Sequence, residues 1–248
     1  MEDTHILQCR DGGFLHLALN RADKKNALTN AMYRDLTAAL NDAAADEDII
    51  GVVFTGMGDA FTAGNDLKEF LAAGTTAGLA APDFLRVLAT FPKIVIAAVQ
   101  GAAVGIGTTL LLHCDLVIAA PDAKFQLPFI NLGLVPEAAS SLLLPARLGH
   151  ARASELLLLG SVFDAQTAYQ LGLINRIVEK EALAKTVLEF TAALASKDPH
   201  ALQETKRLLK SMSQGVEARM EEEFTAFARC LGMPAFKTAV EKFFKPKA

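Results

Sequence analysis

The sequence predicts an α/β protein: a mostly parallel sheet covered by helices, followed by a smaller all-helical C-terminal part. Three observations lead there. Short β-branched runs at Ile49–Thr55, Ile94–Val99 and Leu116–Ala119 alternate with helical periodicities. Two of these runs feed glycine-bearing strand-to-helix junctions, GMGDAFTAGNDLKEF and VQGAAVGIGTT. After Asp198-Pro199 the composition shifts to helices rich in Lys, Glu and Phe, placing a boundary near Ser196 between residues 1–195 and 196–248.

In chain order, Ile6–Cys9 and Phe14–Asn20 read as a strand pair around Asp11-Gly12-Gly13, with Leu15, Leu17 and Leu19 on one face and His16 on the other. The polar loop RADKKNALT follows, its Lys24 and Lys25 serving either as solvated loop or as phosphate contacts. Thr29 is placed to cap a helix in which Met32, Leu36 and Leu40 recur every fourth residue. Ile49–Thr55 has the continuous apolar character of a strand covered on both faces. Asp66 stands where it caps the next helix. The small residues of Gly74–Pro82 predict a mobile loop, after which a helix spans Asp83–Thr90 and Pro92 ends it. The strand Ile94–Val99 then leads through Gly101, Gly105 and Gly107 into a helix opening near Ile106, and Leu116–Ala119 forms another strand.

Further on, helices are expected at Ala138–Leu144, His150–Leu159, Ala165–Leu171 and Ala182–Ala195, with Asp164 as a cap, Gly172 as a stop and a strand at Leu173–Val178. The last three helices are Ala201–Met212, Val216–Leu231 and Ala235–Phe244. Their Phe224, Phe227, Leu231 and Phe236 exceed what a small appendage buries alone, which predicts packing on another subunit.

Composition narrows the classes. With 248 residues and 52% apolar composition, the chain supports one globular unit with a large core. A net charge of −4 without blocks of like charge argues against a nucleic-acid partner. Cys9, Cys114 and Cys230 form neither a metal nor a disulfide pattern, in keeping with a reducing compartment, and the N-terminus lacks the pattern of a secretory signal; both point to the cytoplasm. Ile94–Leu112 carries no charge, yet its Gln100, three glycines, Thr108 and Thr109 argue against a membrane span.

Two places carry chemistry. Strand-to-glycine-to-helix junctions present unpaired backbone N–H groups at a positive helix end, where an oxyanion or a phosphate is held. The second place is Glu137, the single carboxylate between Asp122 and Glu155, flanked by Val135, Pro136, Ala138 and Ala139. Loss of hydration there raises a carboxyl pKa and prepares a general base or acid. The same residue also reads as a helix-start acid complementing the dipole of Ala138–Leu144, and the local sequence leaves both readings open.

Taken in order, LALNRADKKNALT, AFTAGNDLKEF, VQGAAVGIGTTLLLHCDLVIAAPDAKFQLP, LGLVP and the stretch Leu158–Val178 resemble the crotonase superfamily of enoyl-CoA hydratases and isomerases across nearly the whole chain. A dinucleotide-binding fold is excluded because Gly105-Ile106-Gly107 lacks the third glycine. The resemblance implies a ββα spiral core with a C-terminal helical trimerisation subdomain, assembled as a homotrimer or a dimer of trimers. It implies an oxyanion hole from the backbone N–H groups of Asn65 and Ile106, an acyl-CoA thioester substrate, and no metal or separate cofactor. The Ala63–Leu67 loop, with Ala63, Gly64, Asp66 and Leu67, would border the adenine of CoA, while Lys24 and a C-terminal lysine of a neighbour would meet phosphates. The two acids of the hydratases fall at Thr109 and Phe129, so neither is present. LPFINLGLVPEAASS is instead similar to the delta-3,delta-2-enoyl-CoA isomerases, whose base occupies the position of Glu137. Phe129, Leu132 and Leu134 would then be apolar walls excluding water.

Overall fold

The computed structural model describes residues 4–73, 78–211 and 215–245. Strands β1 (Ile6–Asp11) and β2 (Phe14–Leu19) form the expected hairpin, and α1 (Asn30–Ala45) follows, its start fixed by the Thr29 hydroxyl accepting from the Met32 amide. Next come β3 (Gly51–Gly56), α2 (Leu67–Ala73) and α3 (Ala81–Thr90). The central segment holds β4 (Ile94–Val99), β5 (Ala102–Val104), α4 (Ile106–Thr109), a 3-10 turn at Leu110–His113, β6 (Leu116–Ala119) and β7 (Lys124–Gln126). Beyond it lie α5 (Ser140–Leu148), α6 (His150–Leu159), β8 (Phe163–Asp164), α7 (Ala165–Gln170), β9 (Arg176–Ile177) and α8 (Leu183–Ala195). The chain closes with α9 (Pro199–Ser211), α10 (Val216–Leu231) and α11 (Pro234–Phe244).

The main sheet has the order β1-β2-β3-β4-β6-β9, antiparallel only at β1–β2. Alternation along its strands feeds two cores. Leu15, Leu17, Leu19, Val52, Phe54, Val95 and Ala97 join the large core under α1 and α3. Phe14, Val53, Ile94, Ile96, Ala98 and Ile118 face the other way and meet Leu183 and Val187 of α8. A strand covered on both faces gains from being apolar at every position, which is why β4 reads IVIAAV. A second, three-stranded sheet, β5-β7-β8, stands beyond the ends of the first. Its strands are two or three residues long, below the length at which period-2 patterning shows in a sequence.

Several expectations need correction. Helix α3 starts at Ala81, so the loop expected over Gly74–Pro82 shrinks; residues 74–77 lie outside the described residues. Helix α5 starts at Ser140, because Ala138 and Ala139 both adopt left-handed backbone (φ 59° and 54°). The expected strand at Leu173–Val178 pairs only at Arg176–Ile177. The C-terminal aromatic residues do not wait for another subunit: Phe227, Leu231 and Phe236 are buried in the chain's own core and Phe224 packs half-buried against it. Helix α10 folds back over α3 and α5, with the Phe227 ring edge-on to Phe70 at 6.1 Å.

Candidate active site

The two glycine junctions are laced side by side. The Thr62 amide donates to the Ala102 carbonyl (2.9 Å) and the Val104 amide to the Thr62 carbonyl (3.0 Å). Gly64 has φ 91°, and a Cβ there would stand 2.7 Å from the Val104 carbonyl oxygen, so only glycine allows this approach. Gly107 plays the matching part on α4, where a Cβ would meet the Thr62 methyl at 2.6 Å. The loop carrying Asn65 is pinned by Leu28, whose amide donates to Gly64 and whose carbonyl accepts from Asp66, both at 2.8 Å. Among the described residues, the N–H groups of Asn65 and Ile106 have no acceptor. Because α4 spans four residues, the donors here are local amides rather than the end of a long dipole. The Asn65 side chain accepts a short hydrogen bond from the Tyr33 hydroxyl on α1.

Glu137 sits in a turn clamped from three sides and shares a cleft with Asn65, whereas Ile106 lies outside the lining of that cleft. Glu137 is 6% exposed and its carboxylate accepts from the Thr109 hydroxyl at 2.5 Å. Burial pushes its pKa up to about 8; the Thr109 bond opposes the rise and the negative charge of Glu223 adds to it. The Ala138 carbonyl accepts from His113 Nε2 at 2.8 Å, so that nitrogen carries the proton. Burial holds His113 at a pKa of about 3, leaving it neutral. Glu223 of α10 takes the amides of Ala139 (2.6 Å) and Ser141 (2.9 Å). The two readings of Glu137 thereby separate: the acid at the start of α5 is Glu223, and Glu137 is directed away from the helix. Burial and the Glu137 charge also push the Tyr33 hydroxyl well above its ordinary pKa.

Between Glu137 and Asn65 opens a narrow cleft walled by Phe70, Leu79, Leu85, Phe224 and Phe227. Phe129 and Leu134, expected as walls, are buried core side chains outside this lining, and Leu132 packs partly buried on the core. Their place is taken by α2, α3 and α10, elements whose convergence no local pattern reveals. Of the residues expected to border CoA, Ala63 donates its amide to the Lys25 carbonyl (2.8 Å), which sets the Lys24 turn beside the Asn65 loop. The Lys24 side chain is exposed, 3.3 Å from Asp23. Leu67 opens α2 half-buried. The Asp66 carboxylate is committed to structure: it pairs with Arg21 at 2.8 Å and caps α2 through the Lys68 amide at 3.0 Å. Its backbone is engaged as well, the amide with the Leu28 carbonyl and the carbonyl with the Phe70 amide at 3.1 Å. No group of His, Cys, Asp and Glu fit to hold a metal occurs among the described residues.

Sequence reasoning missed Tyr33, the tie from Thr109 to Glu137, and Glu223. The last had a signal. Met220, Glu223, Phe227 and Leu231 fall on one helical face, which places an acid within an apolar stripe.

Comparison with known proteins locates this arrangement. Residues 10–244 match the family described as "Enoyl-CoA hydratase/isomerase". A curated relative, enoyl-CoA delta isomerase 2 of Rattus norvegicus, is 36% identical over 232 residues, covering 90% of this chain, while the chain spans 59% of the rat protein's length. The 2,3-dehydroadipyl-CoA hydratase of Escherichia coli is 35% identical over 227 residues, with 90% and 89% covered. Among solved structures, OdaA of Pseudomonas aeruginosa superposes with a TM-score of 0.95 at 40% identity, over 98% of this chain and 100% of that one.

Proposed function

Because the chain belongs to the enoyl-CoA hydratase/isomerase family, we propose that within it this enzyme is an isomerase moving the double bond of a 3-enoyl-CoA thioester into conjugation. The observation that carries the reading is the acid inventory of the cleft: among its lining residues Glu137 is the one carboxylate, and a hydroxyl, Thr109, stands beside it. Two-acid hydration needs a second carboxylate, whereas a 1,3-proton shift needs one group that takes a proton and returns it.

In this reading ionised Glu137 removes a proton from C2. The electron pair moves onto the thioester oxygen as a dienolate, held by the amides of Asn65 and Ile106, each donor supplying about 3 kcal/mol. The protonated carboxyl then delivers the same proton to C4, the electrons return, and the 2-enoyl thioester forms. The apolar walls keep water from the intermediate. No cofactor is required beyond the CoA carried by the substrate.

Lys24 and the backbone of Ala63 to Leu67 are proposed to border the CoA moiety. A homotrimer or dimer of trimers is likewise proposed from the resemblance, and a stable monomer in sedimentation would refute it. A cytoplasmic location belongs with these proposals; among the described residues no helix is long and apolar enough to cross a membrane.

Separate incubations with 3-enoyl-CoA and 2-enoyl-CoA test the reaction. Conversion of the first to a conjugated product supports it, and formation of 3-hydroxyacyl-CoA from the second at a comparable rate refutes it in favour of hydration.

A further inference from the structure

We infer that Glu223, on α10, is a positioning residue that aims the Glu137 carboxylate through the main-chain amides of Ala139 and Ser141. The inference deepens the isomerase reading and takes from it only that Glu137 is the group that moves the proton.

Helix α5 has no cap of its own. The residue before it, Ala139, is left-handed and makes no side-chain bond to the helix, and the buried Ser140 hydroxyl has no partner among the described residues. The start of the helix is met instead from a segment more than eighty residues downstream, Glu223 Oε2 accepting from Ala139 and Oε1 from Ser141. A carboxylate that straddles two amides fixes their relative orientation, and the ionic character of both bonds makes them strong. These amides bracket the exit from a turn in which two successive alanines are left-handed, a conformation an L-residue holds only when its surroundings impose it. Freed from Glu223, the turn relaxes toward ordinary backbone and carries Glu137 with it.

Docking of α10 does not by itself require this acid. Met220, Phe227 and Leu231 on the same face already enter the large core, and Arg86 of α3 holds the outer face through Glu221 at 2.8 Å. A buried carboxylate weakens such a helix seam unless its bonds serve something, and the hydrogen bonds of Glu223, to the amides of Ala139 and Ser141 and to the Ser141 hydroxyl, all go to the exit of the turn bearing Glu137.

The charged and titratable groups around the pair are few. Burial raises the Glu223 pKa, opposed by hydrogen bonds from the Ser141 hydroxyl and the Ser141 and Ala139 amides and then by the charge of Arg219, which reaches the Ser141 hydroxyl at 3.5 Å and pairs outward with Glu222. Tyr33 approaches Glu137 from α1, and neutral His113 approaches the turn from the 3-10 segment.

The test uses the full chain carrying Glu223→Gln, with two readouts. Turnover of 3-enoyl-CoA is expected to lose roughly ten- to hundredfold in kcat, as for a misaimed catalytic group, with KM changed by less than about threefold. The Glu137 carboxyl titration, followed by carbon-13 NMR of glutamate-labelled protein without substrate, is expected to move to lower pH. With an active wild type, absence of either change overturns the inference, as does a loss confined to KM. If Glu223→Gln does not fold, Glu223→Asp, one methylene too short to hold both amides, is read by the same kcat loss and KM limit alone, because it keeps the charge that raises the Glu137 pKa. A wild type that leaves 3-enoyl-CoA unchanged refutes the isomerase reading, and the substrate-free titration then decides the role of Glu223 alone.

Discussion

Thr109→Val isolates the contact on which the strength of the base depends. The side chain is fully buried, and valine repeats its shape, so the variant removes the hydroxyl and little else. In the wild type that hydroxyl donates to Glu137 Oε1 at 2.5 Å and opposes the rise in pKa that burial imposes. A hydrogen bond to a charged group is worth about 1.5–3 kcal/mol, and each pKa step corresponds to about 1.36 kcal/mol. Loss of the bond therefore moves Glu137 from about 8 to roughly 9–10. The ionised form is the base, so kcat/KM rises with pH. In the wild type it levels off above about 8, whereas in the variant it is still climbing at ~9. At neutral pH the active fraction, and kcat/KM with it, falls roughly 10- to 100-fold. Initial rates read from the ultraviolet absorbance of the conjugated thioester across this range provide the assay. A rising limb in the wild-type position refutes the reasoning. So does a loss by the same factor at every pH, because Thr109 would then act through geometry rather than through ionisation.

Four further substitutions probe the same cleft and its junctions. Glu137→Gln should abolish turnover while raising the thermal midpoint above pH 8: a carboxyl with a raised folded-state pKa contributes stability at low pH that is lost as pH climbs from 4.5 toward about 8, a difference of the order of 5 kcal/mol, and an amide escapes it; melting curves at pH 5 and pH 9 check the sign. Gly64→Ala sets a Cβ against the Val104 carbonyl at a left-handed position, so the Asn65 amide shifts and kcat/KM drops about 100- to 1,000-fold, the cost of one oxyanion donor; steady-state kinetics beside CoA binding separate this from unfolding. Phe227→Ala, at a buried wall, should cost about 3–5 kcal/mol in denaturant unfolding, whereas Phe224→Ala, at a half-buried one, should cost less and shift kcat/KM toward longer acyl chains, which a series of 3-enoyl-CoA chain lengths would reveal.

What the sequence made legible was whatever depends on neighbours in the chain. The caps at Thr29 and Asp164, the apolar run of β4 and the full extent of α10 follow from propensity and period, and the structure has them as expected. The glycines of both junctions were readable because left-handed backbone and close approach are requirements at single residues. Contacts between distant segments were not. Thr109 was noted for the acid it replaces, yet its tie to a carboxylate twenty-eight residues away became visible only in three dimensions. Phe129 and Leu134 have the character of walls, but the aim of a loop side chain is set by what packs on it, and the core claimed both. The C-terminal aromatics need cover, and the cover is the chain's own core, which a division by composition at Ser196 hides.

The turn at Glu137 breaks several of the rules that the rest of the chain obeys. It buries an acid, sets two alanines in left-handed backbone and uses a histidine kept neutral by desolvation, each unfavourable in isolation. Such a turn persists only if it is over-determined, and its three clamps come from three places: α4 through Thr109, the 3-10 segment through His113, and α10 through Glu223. The first two belong to the segment that also supplies the Ile106 amide, so one stretch of chain fixes the proposed oxyanion donor and the proposed base relative to each other. The third arrives last in the sequence and brings Phe224 and Phe227 with it, so the step that completes the clamp is also the step that walls the cleft. In the proposed reaction base strength and water exclusion are thereby coupled: a site whose α10 has not docked lacks both the orientation and the desolvation that Glu137 requires, and solvent-exposed proton abstraction is disfavoured by construction.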